Sequence, residues 1–358
     1  MIYLLLFSGL FMGWSLGTID AASAFGTAVA TRVVKYRTAV IIIAVLVVVG
    51  AFISGHNNID KVAELAISNN VTASAEEVVA AIEDGTVEEL RLKATFKAAI
   101  IYICAGLTVF LMSYLKLPVS SNQSIIGAII GWGLFAADYS NPYVLQMNLS
   151  QIGKFACTWL LNPLCAGVIS FCLVWLVKRF LEPRMETLSG YDKIIRWGYL
   201  IAGAFASYSI GLNSSANVMA LYFDTTYQGT SVAANLLTNP RLAATIGGLA
   251  IAVGVVTFSE RVMLTVGSSI AEISQLQGFL VVIAMALTVV LMGKCMGIPV
   301  SNSQAVVGAV MGAGLTKGVK AVHFGVLKNI AVAWVTSPTV AGLLAYAVAY
   351  CTKGYFVV

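Results

Sequence analysis

Two short polar elements of nearly the same sequence stand between apolar segments of this chain. They are Pro118-Val-Ser-Ser-Asn-Gln123 and Pro299-Val-Ser-Asn-Ser-Gln304. Proline followed by serine and asparagine marks a helix start, where free N–H groups and the positive dipole end favour an anion. Two such helix ends approaching each other could bind a tetrahedral oxyanion without arginine, although ordinary caps of re-entrant helices would look the same. The predicted anion ligands are Ser120, Ser121, Asn122, Ser301, Asn302 and Ser303, with Gln123 and Gln304 orienting the site.

A second pair of polar motifs lies at 17–26 and 209–220. Asp20 is the only acidic residue before the first basic loop, and a carboxylate within a membrane segment indicates a functional site. We predict that Asp20, Ser23, Asn213 and Asn217 hold a coupling cation, Na⁺ or H⁺, unless Asp20 is simply a residue at the membrane interface. The second motif offers uncharged oxygen ligands suited to a hard cation such as Na⁺; these are Asn213, Ser214, Ser215 and Asn217.

The composition places these motifs in a membrane. Of the 358 residues, 59% are hydrophobic and 10% charged, and the mean hydropathy is +0.89, whereas about a quarter of a soluble domain is charged. Apolar runs approach or exceed the roughly 20 residues that span a bilayer. The sequence therefore predicts an all-α polytopic membrane protein, with residues 2–16 kept as mature structure rather than a signal peptide. The runs are 38–53, 95–115, 152–177, 241–257, 278–292 and 324–350.

The chain is an internal duplication. The two Pro-Val-Ser elements are 181 residues apart, and the Gly-xxx-Gly sequences that follow them, at 127–131 and 308–312, keep that spacing. Because glycines so spaced let helices pack closely in lipid, we predict that they are helix contacts. Trp159-Leu-Leu-Asn-Pro163 likewise matches Trp334-Val-Thr-Ser-Pro338. About five crossings in each copy would invert the second copy relative to the first, as in many secondary transporters. We predict two inverted repeats with broken or re-entrant helices, 1–177 and 197–358, joined by a linker at 178–196.

Charge sets the expected orientation in the cell membrane. Basic residues cluster at 32–37 and at 178–196, whereas the 54–94 insert is acidic. Because lysine and arginine favour the cytoplasmic side, the insert and the N-terminus are predicted to lie outside. Within the insert, 75–90 has the pattern of a short amphipathic helix. The net charge of +5 comes from segment ends and does not indicate a nucleic-acid partner.

Catalytic and cofactor motifs are missing from the sequence. Its six cysteines and two histidines show no paired metal spacing, and no nucleophile elbow, phosphate loop or zincin helix is present. We therefore expect a protein without a cofactor that is not an enzyme. Its expected partners are a small inorganic oxyanion and the lipid bilayer, and a homodimer would be compatible with the sequence.

The motifs resemble those of the inorganic phosphate transporter (PiT) family of sodium- or proton-coupled symporters. The resemblance covers nearly the whole chain except 54–94 and is clearest from Ser259-Glu-Arg-Val-Met-Leu-Thr-Val-Gly267 to 334–342. The family signature is roughly Gly-x-Asn-Asp-x-Ala-Asn, with Pro-Val-Ser-Thr-Thr-His later in each half. The resemblance implies that these elements bind the cation and the oxyanion in a fold of inverted repeats with broken helices.

This chain departs from the family pattern in its most polar positions. The Asn-Asp pair is Ile19-Asp20 in the first copy and Asn213-Ser214 in the second, and the two family histidines are Gln123 and Gln304. Phosphate near neutral pH still carries a proton and gains from an acceptor, whereas sulfate only accepts hydrogen bonds. The loss of acceptors favours sulfate import, as in the divergent sulfate permease branch of the family; phosphate symport is the alternative, and an anion channel is less favoured.

The predicted orientation can be tested by single-cysteine labelling in a background without the six native cysteines. A cysteine replacing Ser74 should react with an impermeant thiol reagent added outside intact cells, and one replacing Ser189 should react only after the cells are opened. The reverse labelling pattern would exchange the inner and outer sides of the protein.

Overall fold

The computed structural model describes residues 2–58, 87–139, 149–181, 188–219, 239–296 and 300–353. Within these ranges the chain is helical, and an isolated bridge between Ala271 and Val322 is the extent of its β pairing. Most of the expected amphipathic helix at 75–90 lies outside the described residues, as does Ser74. Much of the expected linker is helical, since only 182–187 of it fall outside these ranges.

Eleven α-helices in the described ranges are numbered in chain order. They are α1 Ile2–Ala30, α2 Tyr36–Ser54, α3 Val87–Tyr114, α4 Ser121–Tyr139, α5 Leu149–Leu176, α6 Leu188–Met219, α7 Pro240–Phe258, α8 Glu260–Leu264, α9 Gln275–Met296, α10 Asn302–Leu315 and α11 Phe324–Cys351. The repeated motifs pair α1 with α6, α4 with α10 and α5 with α11. The order of the helices then pairs α2 with α7 and α3 with α9. Positions equivalent in the two copies are called twins below.

Six of the helices in the described part of the chain are long and apolar enough to cross a membrane: α2, α3, α5, α7, α9 and α11. Their outer faces carry exposed large apolar side chains such as Leu160, Val335 and Leu249. Such a surface is stable in hydrocarbon rather than in water. The chain is therefore a multi-pass membrane protein, as the composition predicted.

The centre of the protein is occupied by α1, α4 and α10. Residues 15–28 of α1 are all buried, and α10 is buried along nearly its whole length. With 14 residues, α10 is about 21 Å long, which is too short to cross roughly 30 Å of hydrocarbon. Its N-terminus, where the second Pro-Val-Ser element ends, therefore lies inside the protein.

Glycines bring these central helices into close contact with the other repeat. A Cβ added to Gly127 of α4 would lie 2.1 Å from the carbonyl oxygen of Pro338 in α11. At the twin positions, a Cβ on Gly308 of α10 would lie 2.0 Å from the carbonyl oxygen of Pro163 in α5. Gly131 and Gly312 are equally close to twin glycines of α11 and α5. The prediction that the Gly-xxx-Gly residues are helix contacts is confirmed.

Reciprocal contacts between the two copies also occur among the long helices. Gly17 of α1 lies against the carbonyl oxygen of Ile251 in α7, and its twin Gly211 of α6 lies against that of Val47 in α2. Helix α1 thus packs on α7 of the other copy, and its twin α6 packs on α2. These reciprocal contacts are what a two-fold relation between the copies requires, and its inversion across the membrane stays a prediction.

The packing at these crossings predicts a clear stability difference between two glycine substitutions. Gly308→Ala places a methyl group into backbone that cannot move aside easily, and overpacking of this kind costs about 1–3 kcal/mol. We expect a lower melting temperature of the detergent-purified protein, measured by size-exclusion chromatography after heating. Gly325→Ala is the matched control, because nothing lies within 4 Å of the added Cβ. Equal melting of the two variants would contradict the close α5–α10 contact.

Candidate functional site

The two Pro-Val-Ser elements form the same local structure. The backbone N–H of Gln304 donates to the Oγ of Ser301 at 3.3 Å, and that of Gln123 donates to the Oγ of Ser120 at 3.4 Å. The two serine hydroxyls therefore cap α10 and α4, which is the ordinary capping role considered from the sequence. The N–H groups of the first turn have no partner within a helix, so they still offer a positive end to an anion.

Both helix starts are held from the other repeat. The Nδ2 of Asn162, in α5, donates to the carbonyl oxygen of Ser301 at 2.7 Å. The indole N–H of Trp334, in α11, donates to the carbonyl oxygen of Pro118 at 3.0 Å. Backbone groups outside regular helix are thus satisfied inside the protein, which the bilayer requires. These contacts fix the direction in which each helix N-terminus points.

Asp20 lies at the meeting point of three helices. Its Oδ2 accepts from the hydroxyl of Ser214 in α6 at 2.7 Å, and its Oδ1 accepts from the hydroxyl of Ser303 in α10 at 3.5 Å. The Nδ2 of Asn302 donates to the Oγ of Ser214 at 3.4 Å. Only 3% of Asp20 is exposed, well inside α1, so it is not a solvated residue at a helix end.

Asp20 and Ser214 are twin positions, 194 residues apart. The two diverged signature motifs therefore contact each other directly across the centre of the protein. Among the predicted site residues, Asp20 alone carries a charge, because serine stands at its twin position. The carboxylate is consequently surrounded by hydroxyl and amide groups that could share an oxygen-bound cation with it.

Two of the other predicted cation ligands donate hydrogen bonds to backbone carbonyl oxygens instead of to the carboxylate. The hydroxyl of Ser23 donates to the backbone carbonyl oxygen of Asp20 at 2.6 Å, within its own helix. The Nδ2 of Asn213 donates to the carbonyl oxygen of Val300 at 2.9 Å, just before α10. Ser214, Asn302 and Ser303 are thus closer companions of the carboxylate than Ser23 and Asn213.

The predicted anion and cation residues form one cluster rather than two. The Nδ2 of Asn217, a predicted cation ligand, donates to the Oδ1 of Asn122, a predicted anion ligand. Ser303, also a predicted anion ligand, donates to Asp20. All twelve predicted site residues are buried. A change at either kind of ligand would therefore reach the other through a single hydrogen bond.

Several buried polar atoms of this cluster have no hydrogen-bond partner. They include Oε1 of Gln123, Oδ1 of Asn302, and both Oε1 and Nε2 of Gln304. Two residues outside the predicted site, Asn162 and Ser337, add an unpaired Oδ1 and an unpaired Oγ. Each such group costs about 1–3 kcal/mol when it stays unpaired. The unpaired atoms include acceptors as well as donors, so the region can complete its bonds with a polar ligand.

Asn162 and Ser337 had a sequence signal that could have found them. They are twin residues, and each directly precedes the proline of the repeated Trp-x-x-x-Pro element. In the sequence those elements mark the duplication. A polar residue inside an otherwise apolar segment, present at the same place in both copies, is itself an indication of a site.

Sequence comparisons extend over most of the chain. Residues 16–345 match the phosphate transporter family. A protein of Thermococcus kodakarensis named "Putative phosphate permease" is 26% identical, with 94% of each chain covered. The chloroplastic inorganic phosphate transporter 2-1 of Arabidopsis thaliana is 22% identical, covering 96% of this chain and 70% of the plant protein.

A solved structure has the same fold. It is named "The sodium-dependent phosphate transporter", and it superimposes with a TM-score of 0.73 at 22% identity, covering 98% of both chains. The polytopic all-α fold expected from the sequence is thereby confirmed, as is the resemblance from which it followed. With the family matched from residue 16 to residue 345, this chain belongs to the phosphate transporter family.

Proposed function

We propose that this protein imports inorganic phosphate across the cell membrane by symport with Na⁺ or H⁺. The observation that carries the proposal is the buried cluster at the N-termini of α4 and α10, in a chain of the phosphate transporter family. Transport, rather than catalysis or an uncoupled channel, agrees with a carboxylate placed beside the candidate anion ligands. The names of the relatives support phosphate, and the sodium dependence in the name of the structural neighbour supports Na⁺.

The anion would bind between the two helix N-termini. Their first-turn N–H groups and the hydroxyl of Ser121 can donate to phosphate oxygens, and hydrogen bonds to a charged group are the stronger kind. Neutral dipoles can hold a charge in a dry pocket because the local dielectric is low. No fixed positive charge is needed, which leaves the anion free to depart.

The unpaired amide oxygens favour phosphate over sulfate. The expectation of sulfate depended on the absence of one carboxylate and two histidines, which would act as hydrogen-bond acceptors. The buried Oε1 of Gln123, for example, has no donor, and it can accept the hydrogen bond of a protonated phosphate oxygen. A sulfate ion has no proton to offer this oxygen, which would remain unpaired beside it.

Sulfate remains a second candidate because of one specific observation. Serine occupies position 214, the twin of Asp20, so the cluster holds a single carboxylate. A site with less negative charge repels a fully ionised dianion less strongly than a site with two carboxylates. This favours sulfate only in comparison with members of the family that keep both carboxylates.

The coupling cation would bind at Asp20. The carboxylate, the hydroxyls of Ser214 and Ser303, and the unpaired Oδ1 of Asn302 form an oxygen set suited to Na⁺, and the same carboxylate could instead take up H⁺. Either cation removes the repulsion between Asp20 and an anion on the neighbouring helix ends. The affinity for each ion then depends on the presence of the other, which is the coupling that symport requires.

Uptake into proteoliposomes tests the cargo and the coupling together. We expect labelled phosphate to accumulate when a Na⁺ or a pH gradient is imposed, and unlabelled sulfate at equal concentration to compete weakly. Gradient-driven sulfate uptake that phosphate does not inhibit would replace phosphate by sulfate. Uptake that only equilibrates, unchanged by either gradient, would favour the anion channel.

The role of Asp20 predicts the phenotype of Asp20→Asn. The substitution keeps the size of the side chain and one oxygen but removes the charge that holds the cation. We expect gradient-driven accumulation of phosphate to be lost while the protein still elutes as a folded species in size-exclusion chromatography.

The matched control for this prediction is Asp192→Asn, which removes an exposed carboxylate near the start of α6. This variant should accumulate phosphate like the unmodified protein. Accumulation by Asp20→Asn at the level of the control would show that Asp20 does not hold the coupling ion.

A further inference from the structure

The crossing of α5 and α10 contains two polar side chains with unpaired atoms. Gln304 lies one turn before Gly308, on the face of α10 that contacts Pro163 of α5. Asn162 directly precedes that proline, so it enters the crossing from the other helix. Both side chains are buried, Gln304 with 1% and Asn162 with 0% exposure. The α4–α11 crossing repeats the arrangement with Gln123 and Ser337.

The unpaired atom of Asn162 is fixed as an acceptor. Its Nδ2 donates to the carbonyl oxygen of Ser301 at 2.7 Å, and a carbonyl oxygen cannot donate, so the amide cannot be reversed without losing this bond. The free atom is therefore Oδ1, which has no partner. An oxyanion that approaches it must bring a hydrogen, because an approaching oxygen without one would leave both atoms unsatisfied.

Gln304 behaves differently because both ends of its amide are unpaired. Rotation of the side chain can present either the NH₂ group or the oxygen to a ligand. It can therefore donate to an ionised oxygen or accept from a protonated one. Gln304 can thus bond to an ionised or a protonated oxygen of the ligand, whereas Asn162 can bond only to a protonated one.

We propose that Asn162 is a specificity-determining residue that accepts a hydrogen bond from the protonated oxygen of phosphate and thereby selects phosphate over sulfate. This inference rests on the proposed phosphate transport. Gln304 hydrogen-bonds the same side of the anion but does not discriminate between phosphate and sulfate. The Oδ1 of Asn162 is buried next to the start of α10, where the helix N-terminus attracts the ionised oxygens of the same anion.

The twin crossing explains why only one of the two pre-proline residues would contribute to this selection. Ser337 stands where Asn162 would be, and the hydroxyl of serine can donate as well as accept. It can therefore satisfy an ionised oxygen of either anion. Of the two pre-proline residues, only Asn162 has its donor already engaged by the protein and its acceptor left over.

The test measures affinities for both anions in proteoliposomes, from inhibition of labelled phosphate uptake by unlabelled phosphate and by unlabelled sulfate. Asn162→Leu removes the acceptor at similar volume, and Asn162→Ser installs the hydroxyl found at the twin position. We expect each to reduce the preference for phosphate over sulfate by about tenfold or more, mainly through weaker phosphate binding. Gln304→Leu should weaken both anions and leave the preference unchanged.

The matched control is Thr158→Val, one turn before Asn162 in α5. Thr158 is buried, and its hydroxyl already donates to the carbonyl oxygen of Phe155 at 2.7 Å, so its loss should not change the preference. Parallel weakening of both anions by Asn162→Leu and Asn162→Ser would mean that Asn162 only positions α10. Unchanged affinities for both anions would mean that it does not contact the anion. Either result overturns the inference while phosphate transport stands. Failure of the proposed function is a separate outcome, seen as absent phosphate uptake by the unmodified protein.

Discussion

Within the bilayer, backbone N–H and C=O groups must find their partners inside the protein, and the rest of this structure depends on that requirement. Two chain segments interrupted by Pro-Val-Ser cannot face lipid, so their helices, α4 and α10, are enclosed by the other repeat. Glycines at 127 and 308 allow that enclosure, because the carbonyl oxygens of Pro338 and Pro163 occupy the space of a Cβ. Close packing of the helix backbones thus keeps the polar elements out of the hydrocarbon, where they would be costly.

This enclosure also decides how the two kinds of ligand interact. Ser303 belongs to a helix N-terminus that can attract an anion, and its hydroxyl donates to the carboxylate of Asp20. Opposite charges placed on the two sides of this bond would stabilise each other in a low dielectric, and an anion without the cation would meet an uncompensated carboxylate. With serine at the twin position 214, a single charge carries this dependence, and the site is electrically asymmetric although its scaffold is duplicated.

The features that composition and motifs predicted correctly are those encoded locally or repeated in the sequence. The apolar runs, the helix starts at 121 and 302, and the glycine contacts of α4 and α10 are all found in the described residues. Hydrogen bonding was less predictable. Asn213 holds the backbone at Val300, and the amide oxygens that stay unpaired cannot be identified from a count of carboxylates and histidines.

The sequence by itself determined the membrane class, the duplication and the family, because hydropathy, spacing and motifs are properties of the linear chain. Only the tertiary structure decided that Asp20 contacts Ser214 and Ser303, and that Asn162 and Ser337 lie at the crossings of the central helices. The physical reason is that these contacts join residues far apart in the chain. Which lone pairs remain free for a ligand depends on where every neighbouring donor goes, and that is settled only when the helices have packed.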